Sequence, residues 1–300
     1  MKGTFVTWML GAAVASAFDL GHGSWQLNMP ESGLTPSAAF VDIVTDMSER
    51  HSKASSIGWQ QYTLSVPFVD PRQSGNGVWY VGASANMNLT AIHASGLDLN
   101  RDEFFQLNLP VTFIRPLQQG KRLVVAVVPS YDGDFETTGA AFDLGGYIDY
   151  RFYKTETFSA SVGMAVAPQR IAYGVLPFIG FEWNPTPDWQ VKLQGYTLTA
   201  MRRMDERLSA GFFAKGEGGT WVASTSRGDS LFSVSSLVLG GRVEYDFSQP
   251  GQSKRLLTSS LGAIVATAVR YERLNREKDS IETRHYHPGI YFSVGMDCRF

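Results

Sequence analysis

The feature that most constrains this 300-residue chain is a two-residue rhythm. From about residue 37 to the end, segments of roughly ten residues alternate apolar side chains with polar or small ones, and turn-forming residues separate them. In "FDLGGYIDYRFY", Phe142, Leu144, Ile148, Tyr150 and Phe152 share one parity, whereas Asp143, Tyr147, Asp149 and Arg151 share the other. "TFSASVGMAV" sets Phe158, Ala160, Val162, Met164 and Val166 against Thr157, Ser159, Ser161 and Gly163, and only "KTE" lies between the two segments, a tight hairpin connection. Comparable runs cover 62–69, 79–91, 105–113, 175–183, 189–198, 208–214 and 237–247; in 39–47, 123–132, 219–226 and 256–271 small or apolar residues occupy both parities. With the final segment this makes about fourteen strands, or twelve if 39–47 and 219–226 are not strands. A soluble β-sandwich is the rival, but it would have to gather every apolar face into one core. A closed barrel pairs every backbone group and leaves no edge. The expectation is an all-β chain forming a single closed antiparallel transmembrane β-barrel.

The last eight residues, "SVGMDCRF", continue the alternation: Ile290, Phe292, Val294, Met296, Cys298 and Phe300 share one parity. Written as polar–x–Gly–x–x–apolar–x–aromatic, Ser293, Gly295, Cys298 and Phe300 resemble the C-terminal insertion signal of bacterial outer-membrane β-barrels. Cys298 departs from that pattern, which usually has an aromatic or large aliphatic residue there. The resemblance implies outer-membrane lipids and the barrel-insertion machinery as partners, and a last strand that closes the barrel against the first. At the other end, Lys2, a short apolar stretch and the small-x-small ending Ala15-Ser16-Ala17 have the layout of a secretory signal peptide. Residues 1–17 are therefore read as a leader, 18–36 as a periplasmic tail or an inward plug, and 37–300 as the barrel.

Composition removes other classes. Aromatic residues make up 13% of the chain and charged ones only 18%, a low charge density for a secreted soluble protein, and 30 glycines speak for many turns. A net charge of −2 argues against a nucleic-acid partner. The single Cys298 excludes an intrachain disulfide, and no spaced cysteines offer a zinc site, so neither metal nor cofactor is expected.

The hairpin "LPFIGFEWNPTPDWQ" carries Pro177, Gly180, Trp183, Pro185 and Trp189 in the order Pro–x–x–Gly–x–x–Trp–x–Pro–x–x–x–Trp. It resembles a family of exported bacterial barrels known only as a domain of unknown function. That likeness implies an outer-membrane barrel of a double-membrane bacterium and no assigned activity. Strand parity then places links 49–56, 92–102, 133–138, 168–172, 202–206 and 273–286 outside, and "DPRQSGNG", "RPLQQGK", "KTE", "NPTPD", "KGEGG" and "SQPGQSK" in the periplasm. Trp59, Trp79, Trp183, Trp189, Trp221 and Tyr271 lie near strand ends, as aromatic girdles do, with core positions the alternative for each.

The charged residues of lumen parity are the site candidates: Asp143, Asp149, Arg151, Glu182, Lys192, Arg207, Lys215, Arg242, Glu244, Asp297 and Arg299. A water-filled wall of mixed sign passes small polar solutes with weak ion selectivity, a porin-like role. The same groups, paired with one another, would fill the lumen and leave a structural barrel. A third reading takes His93 and Ser95 of "IHASG", with Glu103 or Asn100 to orient the imidazole, as a lipid hydrolase facing the bilayer. His285 and His287 share a parity but lack a third metal ligand.

Overall fold

In the computed structural model the described residues are 37–51, 55–73, 79–136, 141–166, 175–226, 228–248, 254–273 and 282–299. Residues 1–17, read from the sequence as a leader, and 18–36, read as a tail or plug, lie outside them, as does Phe300. Sixteen strands form one sheet: β1 (Ser37–Ser48), β2 (Ser56–Gln73), β3 (Tyr80–Ser95), β4 (Glu103–Asn108), β5 (Val111–Pro116), β6 (Arg122–Gly133), β7 (Phe142–Lys154), β8 (Phe158–Val166), β9 (Val175–Thr186), β10 (Trp189–Gln194), β11 (Thr197–Arg203), β12 (Leu208–Thr225), β13 (Gly228–Asp246), β14 (Lys254–Arg273), β15 (Glu282–Tyr286) and β16 (Gly289–Arg299). β4 and β5 both lie between β3 and β6, and β15 and β16 both pair β14. Each of these pairs is one stave broken at a proline, Pro110 or Pro288, which brings no N–H to a ladder. Fourteen staves therefore close the ring. The last meets the first over Ser37↔Cys298 to Val44↔Tyr291, as the terminal alternation predicts.

The apolar parity faces outward all round. Leu64, Leu144, Met164, Phe212, Leu261, Ile290 and Met296 are exposed, Phe212 to 71%. In water such a belt is untenable; in hydrocarbon it is the ordinary surface of a spanning barrel. Trp183, Tyr153, Tyr245 and Tyr80 are also exposed, and all four sit near the end of the sheet at which β1 starts and β16 stops, here the near end. Trp59 and Trp221 depart from the girdle expectation. They are buried, 2% and 1% exposed, and Tyr271 packs against the same cluster, so the three are interior residues.

The count of fourteen conceals two differences from the sequence reading. The run 189–198 is not one strand but the start of a short hairpin, β10–β11, turned by Gly195 at positive φ (57°) and Tyr196. The runs 208–214 and 219–226 are one continuous strand, β12, because "KGEGG" is no turn. Gly218 sits within the ladder at φ 134°, opposite Ser235, and a Cβ there would lie 2.0 Å from the Val234 carbonyl oxygen. The link 202–206 consequently lies at the near end, not the far one: Arg203 N–H donates to Asp188 O, and Asp246 N–H to Arg207 O.

These differences shape the wall. β10–β11 rises only as far as the Gly216 N–H bond to Tyr196 O. Beyond that point β12 is laddered to β13 alone, while β13 keeps its ladder to β14 as far as Ser230↔Arg273, and the hairpin reaches β6, where Val222 bridges Gly133 in parallel. Above the short hairpin, the facing edges of β9 (175–180) and β12 (217–221) have no ladder partner among the described residues, a window in the wall.

Candidate functional site

The far half of the barrel is filled. From Trp221 to Ala223 and from Ser230 to Val234 every residue is buried whichever way it points, so this hairpin lies between two packed layers. On one face Trp221 packs against Phe104 (5.3 Å between ring centroids) and Phe232 (5.9 Å), and Phe232 against Tyr271 (5.1 Å), within a cluster that includes Trp59, Ile92 and Ile264. On the other face Val222 and Leu231 meet Tyr131 and Ala141. Polar contacts fix the tip to the opposite rim: Ser224 N–H donates to Asp134 Oδ2 (2.6 Å), Asn100 N–H to Ser224 O (3.0 Å), and the Ser226 hydroxyl to Asp98 Oδ2 (2.7 Å).

Where β12 parts from β11, four polar groups meet inside the barrel. Lys215 Nζ is 2.5 Å from Glu217 Oε2 and 3.6 Å from Asp42 Oδ1, and it lies 4.4 Å from the centre of the Tyr291 ring. The Tyr291 hydroxyl donates to Asp42. A buried ion pair is costly to desolvate, and here the multiple contacts compensate each charge. Lys215 was visible from its parity. Asp42 and Glu217 are not among the lumen-parity candidates, although Asp42 stands as a lone charge in the apolar run "AAFVDIV".

The other candidates fall into separate groups. Asp149, 2% exposed, faces Arg122 at 3.8 Å. It lines a recess of about 60 Å³ together with Arg151, Ser161, Glu182 and Lys192. Glu182 Oε1 accepts from Gln190 Nε2 (2.7 Å) and Asn184 Nδ2 (3.4 Å), and Arg151 Nε donates to Gly120 O (3.1 Å). Arg242 and Glu244 pair at 3.0 Å on β13. Asp297 is buried near the start of β1. Asp143 bonds the adjacent Leu144 N–H at the far end of β7. Arg207 sits in the exposed near-end turn 204–207, beyond the strands, and Arg299 pairs Lys254 in register at the end of β16. Asp205 in that same turn accepts from the N–H groups of Arg207 and Leu208 (both 2.7 Å), and these bonds hold its carboxyl below the usual range.

Of the insertion-signal residues, Ser293 is buried and faces inward, while Cys298 follows exposed Met296 on the outward parity. Gly295 accommodates the Phe40 ring from β1. His93 and Ser95 share the outward face as parity predicts. Ser95 Oγ, however, is engaged by Ser56, through its N–H (2.9 Å) and its hydroxyl (3.0 Å). Among the described residues His93 makes no hydrogen bond to Ser95 or Glu103, and Asn100 is taken up by Ser224. His285 and His287 are exposed on either side of Tyr286, and no group of metal-ligating residues occurs among the described ones.

No protein-family model and no curated protein matches the chain, so the likeness of the 177–189 hairpin stands on those residues alone. Among solved structures it is similar to the Pseudomonas putida toluene transporter TodX, at 12% identity and a TM-score of 0.35 over 95% of this chain and 93% of that one. It is also similar to Pseudomonas aeruginosa OpdQ (9%, TM-score 0.31, covering 87% and 97%) and OccK5 (10%, 0.26, 88% and 98%). Likenesses at this level fix neither cargo nor mechanism.

Proposed function

We propose that this chain is an outer-membrane β-barrel of a double-membrane bacterium that acts as a passive channel for small polar solutes. The observation that carries the reading is the recess between β6 and β10, where charges of both signs meet hydroxyls on the lumen wall. A wall of that kind replaces part of a solute's hydration without holding it tightly. In this reading the near end faces the periplasm, because an even number of staves returns the chain to the side on which it starts. The far end faces outward, and the β12–β13 hairpin stands across its mouth as a gate that must yield. Lipids surround the belt, and the insertion machinery reads the last strand.

A second reading is a filled barrel without transport, favoured by the aromatic cluster around Trp221. A reversible lock separates the two. Asn100 and Ser224 meet through their side chains (3.1 Å) and through the Asn100 N–H bond to Ser224 O (3.0 Å), so Asn100→Cys with Ser224→Cys, in a Cys298→Ser background, sets two cysteines on facing positions for an oxidative lock. Reduced protein in planar bilayers is expected to give discrete conductance steps that oxidation suppresses. Silent bilayers in both states, with folded protein verified by heat-modifiable migration, would establish the filled barrel. Release of fatty acid from phospholipid that disappears in Ser95→Ala would establish the hydrolase instead.

A further inference from the structure

The geometry points to a binding site for a small oxyanion, a carboxylate or phosphate group, in the recess between β6 and β10. The reasoning is one of charge accounting. Both carboxylates that line it are already engaged, Asp149 by Arg122 and Glu182 by the Gln190 and Asn184 amides. Two of its cations have no ion pair of their own, although Arg151 shares the field of Asp149 with Arg122. Arg151 spends one N–H on a neutral carbonyl, Gly120 O, and among the described residues no carboxylate lies within ion-pair distance of its guanidinium. Lys192 has neither an ion pair nor a hydrogen bond there, although Glu182 is its direct register partner. The recess therefore presents a positive surplus to solvent.

The wall between the two cations suits the same ligand. In register, Arg151 stands opposite Ser161, Ser161 opposite Gly180, and Glu182 opposite both Ser159 and Lys192. Arg151 and Lys192 thus flank a floor of serine hydroxyls, three strand spacings or about 14 Å of curved wall apart. Gly180 keeps that floor open, because a Cβ there would come within 2.7 Å of Ser161 Oγ. The Ser161 hydroxyl already donates to Asp149, so the donors left for a ligand are the Arg151 guanidinium, the Lys192 ammonium and the Ser159 hydroxyl, and an oxyanion accepts from each. The assignment rests on the channel reading for its biological cargo, and its test is independent of conductance.

The experiment titrates detergent-folded wild-type protein calorimetrically at low salt with inorganic phosphate, then separately with glutarate. Saturable binding that weakens with added salt is expected for at least one probe. Arg151→Gln and Lys192→Gln should each weaken it about tenfold or more, the usual range for a hydrogen bond to a charged group. Gly180→Val, which leaves every charge in place, should weaken it as well by filling the floor. Binding by the wild type that all three variants retain would overturn the site, as would no binding of either probe. Binding without conductance refutes the channel and leaves the site; conductance without binding does the reverse.

Discussion

Trp221→Ala tests whether the far half of the barrel is a packed core. Trp221 is 1% exposed and its ring packs against those of Phe104 and Phe232, which also touch each other. A tryptophan buries about 150–250 Å², and at roughly 25 cal/mol per Å² that is about 4–6 kcal/mol of transfer free energy. Alanine keeps a small part, so the net loss should be about 3–5 kcal/mol, in line with large-to-small core substitutions. The neighbouring rings can relax into the space only partly, since both are held by strands of the closed wall. Urea titration of the refolded protein in bilayers should show the midpoint fall with an unchanged slope. A loss below about 1 kcal/mol would mean that Trp221 is not packed, and the partition by β12–β13 would fall with it. If the hairpin is the gate, the same variant should also open more often in planar bilayers.

Three further outcomes are expected. Gly218→Val places a branched side chain at φ 134° and against the Val234 carbonyl, so it should give protein that no longer migrates as a compact, heat-modifiable band. Arg242→Glu replaces an ion pair with two adjacent carboxylates on the lumen wall, and the reversal potential in a salt gradient should move toward cation preference. Asp205 has a depressed folded-state pKa, so its stabilising effect on the 204–207 turn is present above the ordinary carboxylate pKa and fades as pH falls through the depressed one. Asp205→Ala should therefore lower the urea midpoint at neutral pH and leave it unchanged in strong acid.

Much of the wall was legible because lipid imposes a strict period of two. Phe142, Leu144 and Ile148 point outward, whereas Tyr147 and Asp149 point inward, as the alternation of "FDLGGYIDY" requires. Glycine was the ambiguous signal. Gly195 makes a hairpin turn and Gly218 sits inside a continuous strand, and both look alike locally because each takes a positive φ. Which one forms depends on the partner strand, which is not local information. The alternation also fails where water or protein replaces lipid. Glu282–Tyr286, read as loop, is strand β15 with polar residues on both parities, and Trp221–Ala223 is buried on both faces. Within the recess, Arg151, Glu182 and Lys192 followed from parity. Arg122 did not, since it opens a strand whose apolar residues occupy both parities.

The window above β10–β11 gives the barrel something a perfectly closed cylinder lacks, a place to begin coming apart. Amides along 175–180 and 217–221 are held by neighbours on one side only, whereas those of β13 and β14 are locked between long ladders. At one depth in the bilayer, the chain should therefore show two clocks of deuterium uptake, with the faster one tracing the seam. Force applied there should peel the wall strand by strand from an existing edge; applied at β14, it must first tear a continuous ladder.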